Sequence, residues 1–499
     1  MRDLLLAIDV GTSRVKVVVF NENGRVVALG SEPTETISLH PCWAEQDPRA
    51  WWLSVVKIIR KLLKQYRIRI GEVRAVSVTG QMHGPVLLDA KGMPLGNCII
   101  WQDRRAREET EEIASKIPER SLYQLSGYRV NPYMTGPKLL WIRKKSRKNY
   151  QKSRVIVLPK DYVRSRFTDD TYTDWTDANG TGLFDMRKKR WSDQTIRALG
   201  LDETKMPEIK PPFEVIGEIH ERASRETGLQ KGIPVVTGGG DDAVSIGTRA
   251  LNTNDMAVNL GTSCSTYVSV KEPLLDPRMI LECFVGFEAG RWNLSGTTTS
   301  AGASIDWITK NTGPPKRDMK NPSSYSYLDG MSPRNLKPSG LIFLPYLAGE
   351  RSPLWDADAT GALLGITLRH TRQDLIQSVI EGVGFSLRTI IDVTEQLTRQ
   401  KIKTVRVAGA STSSLTWMSI MANILGKNVL VSEEIEATAL GAAMLGAVGA
   451  GLAPDVRNAA KRFLRVTRMF VPRVQSAHAY DEAYKQYVRL SKSYKQLRS

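Results

Sequence analysis

Leu4-Leu-Leu-Ala-Ile-Asp-Val-Gly-Thr-Ser-Arg-Val-Lys-Val-Val-Val-Phe20 reads as two β-branched strands joined by a Gly11-Thr12-Ser13 tip. Half a chain later the pattern returns as Asp255-Met-Ala-Val-Asn-Leu-Gly-Thr-Ser-Cys-Ser-Thr-Tyr-Val-Ser-Val270, with the tip Gly261-Thr262-Ser263. A tight hairpin of this kind turns backbone N–H groups and two hydroxyls toward one point, which suits phosphate oxygens. One such hairpin is common. Two, each opening a half-chain, predict a pair of phosphate clamps facing each other across a cleft. The first also carries Asp9 beside its glycine, where an acid can hold a magnesium ion through water.

Between the halves stands Ile233-Pro-Val-Val-Thr-Gly-Gly-Gly-Asp-Asp-Ala243. Three glycines after a short strand leave room for a substrate beside the backbone. Asp241 is then either a solvated turn residue or an acid facing the cleft, and its place at the junction favours the cleft. After the first hairpin, Asn23-Gly24 signals a two-residue turn into a third strand, Arg25–Leu29. Asp47-Pro48 reads as cap and first helical residue, followed by Trp52, Val55, Val56, Ile59, Leu62, Leu63 and Tyr66 at helical spacing. A strand over Val73–Thr79 then ends in Gly80-Gln-Met-His-Gly84. Three antiparallel strands, a helix and a strand are the order of a ribonuclease-H-like core.

Residues 85–230 form a less regular insertion with Trp101-Gln-Asp-Arg-Arg105, Pro159-Lys-Asp-Tyr162 and Thr173-Asp-Trp-Thr-Asp-Ala-Asn-Gly-Thr-Gly182. Loops rich in Trp, Gly and acids suit a sugar, whose carbon skeleton is covered by rings and whose hydroxyls donate to carboxylates. In the second half, a long helix is expected over Thr371–Val393. The strand Thr404–Ala408 runs into Gly409-Ala-Ser-Thr-Ser-Ser414, and Ala437–Gly451 is a helix of small residues that admits either a close neighbour or a flat ligand. Tyr480, Tyr484, Tyr487, Leu490 and Tyr494 mark a packed face on a last helix.

At 499 residues the chain exceeds a single core, and two domains are expected. Apolar content of 41% with 24% charged residues is that of a globular protein, and no apolar run reaches membrane-spanning length. Cys42, Cys98, Cys264 and Cys283 have no paired spacing, which argues against disulfides or zinc and for a reducing cytoplasm. The net charge of +18 is spread along the chain without a nucleic-acid motif. A basic surface that attracts ATP and sugar phosphates, or simply solvated helix faces, accounts for it. His83 has no second His or Cys at ligand spacing and is read as a hydrogen-bonding residue.

These features together resemble the FGGY carbohydrate kinases of the actin, heat-shock chaperone and sugar-kinase superfamily. Gly361-Ala-Leu-Leu-Gly-Ile366 with Asp374-Leu375 and Ser378-Val-Ile-Glu381 is similar to the family's second signature, and Phe343-Leu-Pro-Tyr-Leu-Ala-Gly-Glu-Arg-Ser-Pro353 to another of its blocks. Gly80–Gly84, Leu158–Tyr162 and Gly238–Asp241 look most like the xylulokinase branch. The resemblance implies an α/β protein of two ribonuclease-H-like domains flanking a central cleft. Residues 1–247 would carry the sugar site and base, and residues 248–499 the nucleotide.

It further implies ATP and Mg²⁺, with Asp241 as catalytic base and Asp9 on the magnesium side. Gln81, Met82, His83, Asp103 and Asp242 would meet the sugar. Gly11, Thr12, Ser13, Lys16, Gly261, Thr262 and Ser263 would hold phosphates, and Gly409, Ala410 and Ser411 the adenosine. A ketose such as D-xylulose is the expected acceptor. The alternative within the family is another ketose or a polyol (ribulose, erythritol or glycerol type), and outside it a non-catalytic nucleotide-binding protein of the actin or chaperone kind. The assembly expected, if any, is a homodimer. Three positions depart from the branch: Asp242 replaces Asn, Ala410-Ser411-Thr412 replaces a glycine-rich run, and Trp101-Gln-Asp-Arg-Arg105 replaces Trp-Asn-Asp-Gly-Arg.

Overall fold

The computed structural model describes residues 2–69, 71–247, 254–312, 325–330, 337–432 and 436–498. Residue 248, where the second domain was expected to begin, lies outside them.

Each half is built on one mixed sheet, and the two sheets share a topology. In the first, Leu4–Val10 pairs antiparallel with Arg14–Asn21, which pairs antiparallel with Val26–Pro33. On its other side Leu4–Val10 runs parallel to Val73–Gly80, and that strand runs parallel to Pro234–Val236. The edge is Val215–Glu218, antiparallel to Pro234–Val236. In the second, Asp255–Leu260 occupies the place of Leu4–Val10, between Cys264–Val270 (antiparallel) and Thr404–Ala408 (parallel). Asn428–Ser432, Val466–Phe470 and Trp292–Thr298 complete the correspondence. Glu282–Val285 is added at one edge.

The helix over Pro48–Gln65 starts as its sequence dictates, with the Asp47 carboxylate accepting from Arg49 N at 2.9 Å and Pro48 at the first helical position. Its buried stripe is Trp51, Trp52, Val55, Ile58, Ile59 and Leu62. This stripe is rotated from the expected one: Val56 and Leu63 are half-buried and Tyr66 is exposed. The strands beneath are apolar on both faces, so two layers cover them. Leu4, Leu6, Ile8 and Val10 pack with this helix and with Val163 and Phe167 of Pro159–Thr168.

Leu5, Ala7, Val18 and Phe20 point the other way and meet a helix from the far half of the chain, Ala437–Gly449, together with Val456–Phe463. The small residues of this helix therefore serve a close approach to the first half. A Cβ on Gly441 would lie 2.2 Å from the carbonyl oxygen of Val244, and one on Gly449 would lie 2.2 Å from Val236 Cγ1.

The second sheet is covered by Arg372–Thr398, capped by a reciprocal Thr371–Asp374 pair and buried nearly all round from Ile376 to Leu387. Tyr480, Tyr484 and Tyr487 of Val474–Arg498 join the same core, as their spacing predicts. Among the described residues no helix is long and apolar enough to cross a membrane.

Candidate active site

All the loops that matter leave the carboxyl ends of parallel strands, the usual place for a ligand in an open α/β sheet. From the first sheet come Gly11–Ser13, Gln81–His83 and Gly238–Asp241. From the second come Gly261–Ser263 and Gly409–Ser411. The first four of these loops border one cavity of about 1140 Å³ whose wall takes Thr12, Met82, His83 and Asp241 from the first half and Ser263 and Arg351 from the second.

Asp241 is placed by the glycines before it. Gly238 has φ +79°, and a Cβ there would sit 1.9 Å from Val78 O, so only glycine fits. Gly239 and Gly240 then run beside Thr79 and Gly80, and Asp241 opens the helix Asp241–Gly247 at the cavity. Burial first, then the charges of Asp242 and Asp9, push its carboxyl well above the usual carboxylate range. The Asp242 N–H, donating to Oδ1 at 2.8 Å, pulls the other way. Asp242 is raised by burial and partly restored by Arg351. Asp9 is pushed up to about 7 by burial, with Lys16 opposing and Glu436 adding to the rise.

His83 adopts φ +70° between its glycines. Its Nδ1 donates to Gly180 O at 2.7 Å, which leaves Nε2 as an acceptor. Burial, then the nearby Lys138, lowers its pKa to about 3, so the ring is neutral at any working pH. A neutral imidazole with a free acceptor suits a hydroxyl. Met82 is buried against Gly240 and lines the same wall.

Other expected residues stand elsewhere. Asp103 is fully buried, its oxygens consumed by Arg105 (Nη2 at 2.7 Å) and by Ala44 N at 2.6 Å. It braces the loop and is not among the residues lining the cavity. Gln81 is also buried, donating to Gln46 Oε1 at 2.8 Å and accepting from Thr12 Oγ1 at 3.3 Å. Lys16, expected on phosphate, pairs with Glu436 Oε2 at 2.7 Å. The hydroxyl of Thr12 also accepts from Trp101 Nε1 at 2.7 Å, so the first tip is tied to the Trp101–Arg105 loop. Gly261–Ser263 is backed by the start of the helix Gly302–Thr312, whose Gly302 N donates to Gly261 O at 2.9 Å.

Gly409 has φ +111° and abuts Leu260 O, while Ser411 Oγ donates to Leu260 O at 3.0 Å. Gly409 and Ala410 are exposed, so the loop lies open beside the second tip, with Ser411 as its buried anchor.

Sequence reasoning missed the opposite wall. Arg351 pairs with Glu282 Oε2 at 3.0 Å, and Arg104 lies over the ring of Tyr133 at 5.5 Å. Arg351 lay inside the quoted Phe343–Pro353 block, and Arg104 in the altered Trp101–Arg105 block. Both signals were present without a partner to read them against.

The carboxylates near the tips are Asp9 and Asp241. Among the described residues no group of three or more His, Cys, Asp or Glu could cage a metal. This donor set fits a hard divalent ion held mostly by water and phosphate oxygens.

Two like hairpin tips and a half-buried acid between two halves of one topology fit a phosphotransferase. The chain belongs to the FGGY family of carbohydrate kinases: the family's N-terminal domain matches residues 4–246 and its C-terminal domain residues 256–450. It is 33% identical to a xylulose kinase of Escherichia coli over 428 residues, 85% of this chain and 86% of the relative. A ligand-bound xylulose kinase from Lactobacillus acidophilus superposes with a TM-score of 0.88 at 26% identity, covering 98% of both chains. A gluconate kinase from the same organism superposes at 0.89 with 26% identity, covering 99% of this chain and 98% of that one.

Proposed function

We propose that this carbohydrate kinase transfers the γ-phosphoryl group of MgATP to a hydroxyl of a ketose in the cytoplasm, with D-xylulose giving D-xylulose 5-phosphate. The observation that carries the chemistry is Asp241, placed by three glycines at the floor of a cavity bordered by both phosphate tips. An alcohol is a poor nucleophile, and a carboxylate within hydrogen-bond reach accepts its proton as the oxygen–phosphorus bond forms. The raised pKa of Asp241 makes it a stronger base toward that proton.

His83 Nε2 and Asp242 orient the sugar by accepting hydroxyl hydrogens. The N–H groups of Gly11–Ser13 and Gly261–Ser263 steady the phosphates, and the Gly409–Ser411 loop borders the adenosine. Mg²⁺ on the Asp9 side neutralises phosphate charge when bound.

Asp241→Asn should lower turnover by about 10²- to 10⁴-fold while leaving MgATP binding intact. A variant that keeps more than about a tenth of wild-type turnover would require another base.

A second reading is favoured by Arg104. Its Nη1 donates to the carbonyl of Trp101 at 3.1 Å, and no carboxylate pairs with it among the described residues. Burial, with Arg351 and Arg107 nearby, lowers its pKa against the opposing pull of Tyr133 and Asp103, so the negative charge of a ligand carboxylate would be welcome beside it. A sugar acid would supply that charge. ADP release with ketoses, polyols and aldonates, for wild type and Arg104→Gly, separates the two. Turnover of D-xylulose that survives the substitution supports the ketose, whereas an aldonate preference lost with Arg104 supports the acid.

A further inference from the structure

Behind the turn that carries Asp241 lies a cluster of charge sealed from the cleft. Lys160, Asp161, Arg164, Asp174 and Asp177 are all completely buried. Lys160 Nζ meets Asp161, Asp174 Oδ1 at 3.0 Å and Asp177 Oδ2 at 3.5 Å. Arg164 bridges Asp161 Oδ1 at 3.0 Å and Asp170 Oδ1 at 2.6 Å. Such a core is costly to desolvate, and apolar side chains of equal volume commonly serve stability as well or better. Its value here lies in what it grips.

The cluster holds the glycine turn at two points. Arg164 Nη1 donates to Thr237 O at 3.1 Å, and Gly240 N donates to Thr176 Oγ1 at 3.0 Å. The Thr176 hydroxyl passes its own hydrogen to Asp174 Oδ2 at 2.5 Å, and Asp174 is fixed by Lys160. The two grips bracket Gly238 and Gly239, the most pliable part of the backbone, immediately before the base.

We infer that Lys160, Asp174 and Thr176 form a positioning relay that fixes Gly240, and through it the carboxylate of Asp241. The inference rests on the reading of Asp241 as the base. Thr176 is buried and is a positioning residue, not a catalytic one. A misplacement on the order of an ångström at the reacting group costs about a hundredfold in rate. Removing the relay therefore lowers the chemical step while the binding surfaces stay in place.

The test compares Thr176→Val, which keeps the shape and deletes the oxygen, with Thr176→Ser, which keeps the oxygen. Thr176→Ala replaces T176V if the latter fails to fold, and Asp241→Asn is assayed in parallel. The expected result is a kcat about 10- to 100-fold lower in T176V. KM for sugar and for ATP should be unchanged within about twofold, and T176S should recover to within about threefold of wild type. A T176V kcat equal to wild type overturns the relay. So does a loss that T176S shares, or one matched by equal rises in both KM values, since either marks general loosening. If D241N itself stays active, the base reading falls and takes the relay with it. An inactive D241N beside a fully active T176V removes the relay alone.

Discussion

Asp242 sets two properties of the site at once. Its carboxylate lines the cavity, where in its ionised form it would accept hydrogen bonds and donate none. Its charge also lifts the pKa of Asp241, second only to burial. Asp242→Asn removes that repulsion, so the acid form of Asp241 loses its advantage and the base ionises at lower pH. The acid limb of kcat/KM should move to lower pH, with the ranking of four or five ketoses shifting toward D-xylulose. Profiles from pH 5 to 9 for both proteins check it, and superimposable limbs would show that the two carboxylates do not interact.

Asp241 and His83 were legible in the sequence as cavity-wall residues, because three glycines precede the one and a glycine follows the other. Asp103 and Gln81 were not. A carboxylate beside Trp and Arg looks the same in sequence whether it meets a sugar or, as here, is saturated by Arg105 and Ala44 N. Lys16 was ambiguous for the same reason, its partner Glu436 lying 420 residues away.

Among the elements, the helix Ala437–Gly449 shows where packing overrides propensity. Exchanging a helical glycine for alanine normally adds up to about 1 kcal/mol of stability. At Gly441 the new methyl would stand 2.2 Å from the Val244 carbonyl, in a backbone that has no side chain to swing away. Gly441→Ala should therefore destabilise by about 1–3 kcal/mol. It should also lower kcat, because Val244 belongs to the helix that Asp241 opens. Urea unfolding with parallel assays checks both effects, and a more stable, fully active variant would show that the two helices slide apart freely. The sequence marked this element as short-sided, and its spacing could not say which surface it approaches. Thr404–Ala408 was read at both ends and Val73–Gly80 within one residue, because their periodicity is local, whereas the strand expected over Arg25–Leu29 runs on from Val26 to Pro33. The stripe of Pro48–Gln65 was misjudged because Trp51 and Ile58 answer to Gln46 and to the sheet beneath it, not to helical periodicity alone.

At the scale of the molecule, two sheets of one topology present their hairpin tips to a shared cavity. If, as proposed, one half holds the nucleotide and the other mainly the sugar, the two ligands together would draw the halves closer and keep water from the phosphoryl group. Small-angle scattering should give a smaller radius of gyration with sugar and a non-hydrolysable ATP analogue together than with neither. An identical radius would mean a cleft already closed. The helix Ala437–Gly449 has a different consequence, one of timing. Synthesis runs from the N-terminal side, so the sheet of the first half emerges with Leu5, Ala7, Val18 and Phe20 bare, while the helices that cover them, Ala437–Gly449 and Val456–Phe463, follow far later in the chain. Until then that face is an adhesive surface on a nascent chain, in need of a chaperone or of haste.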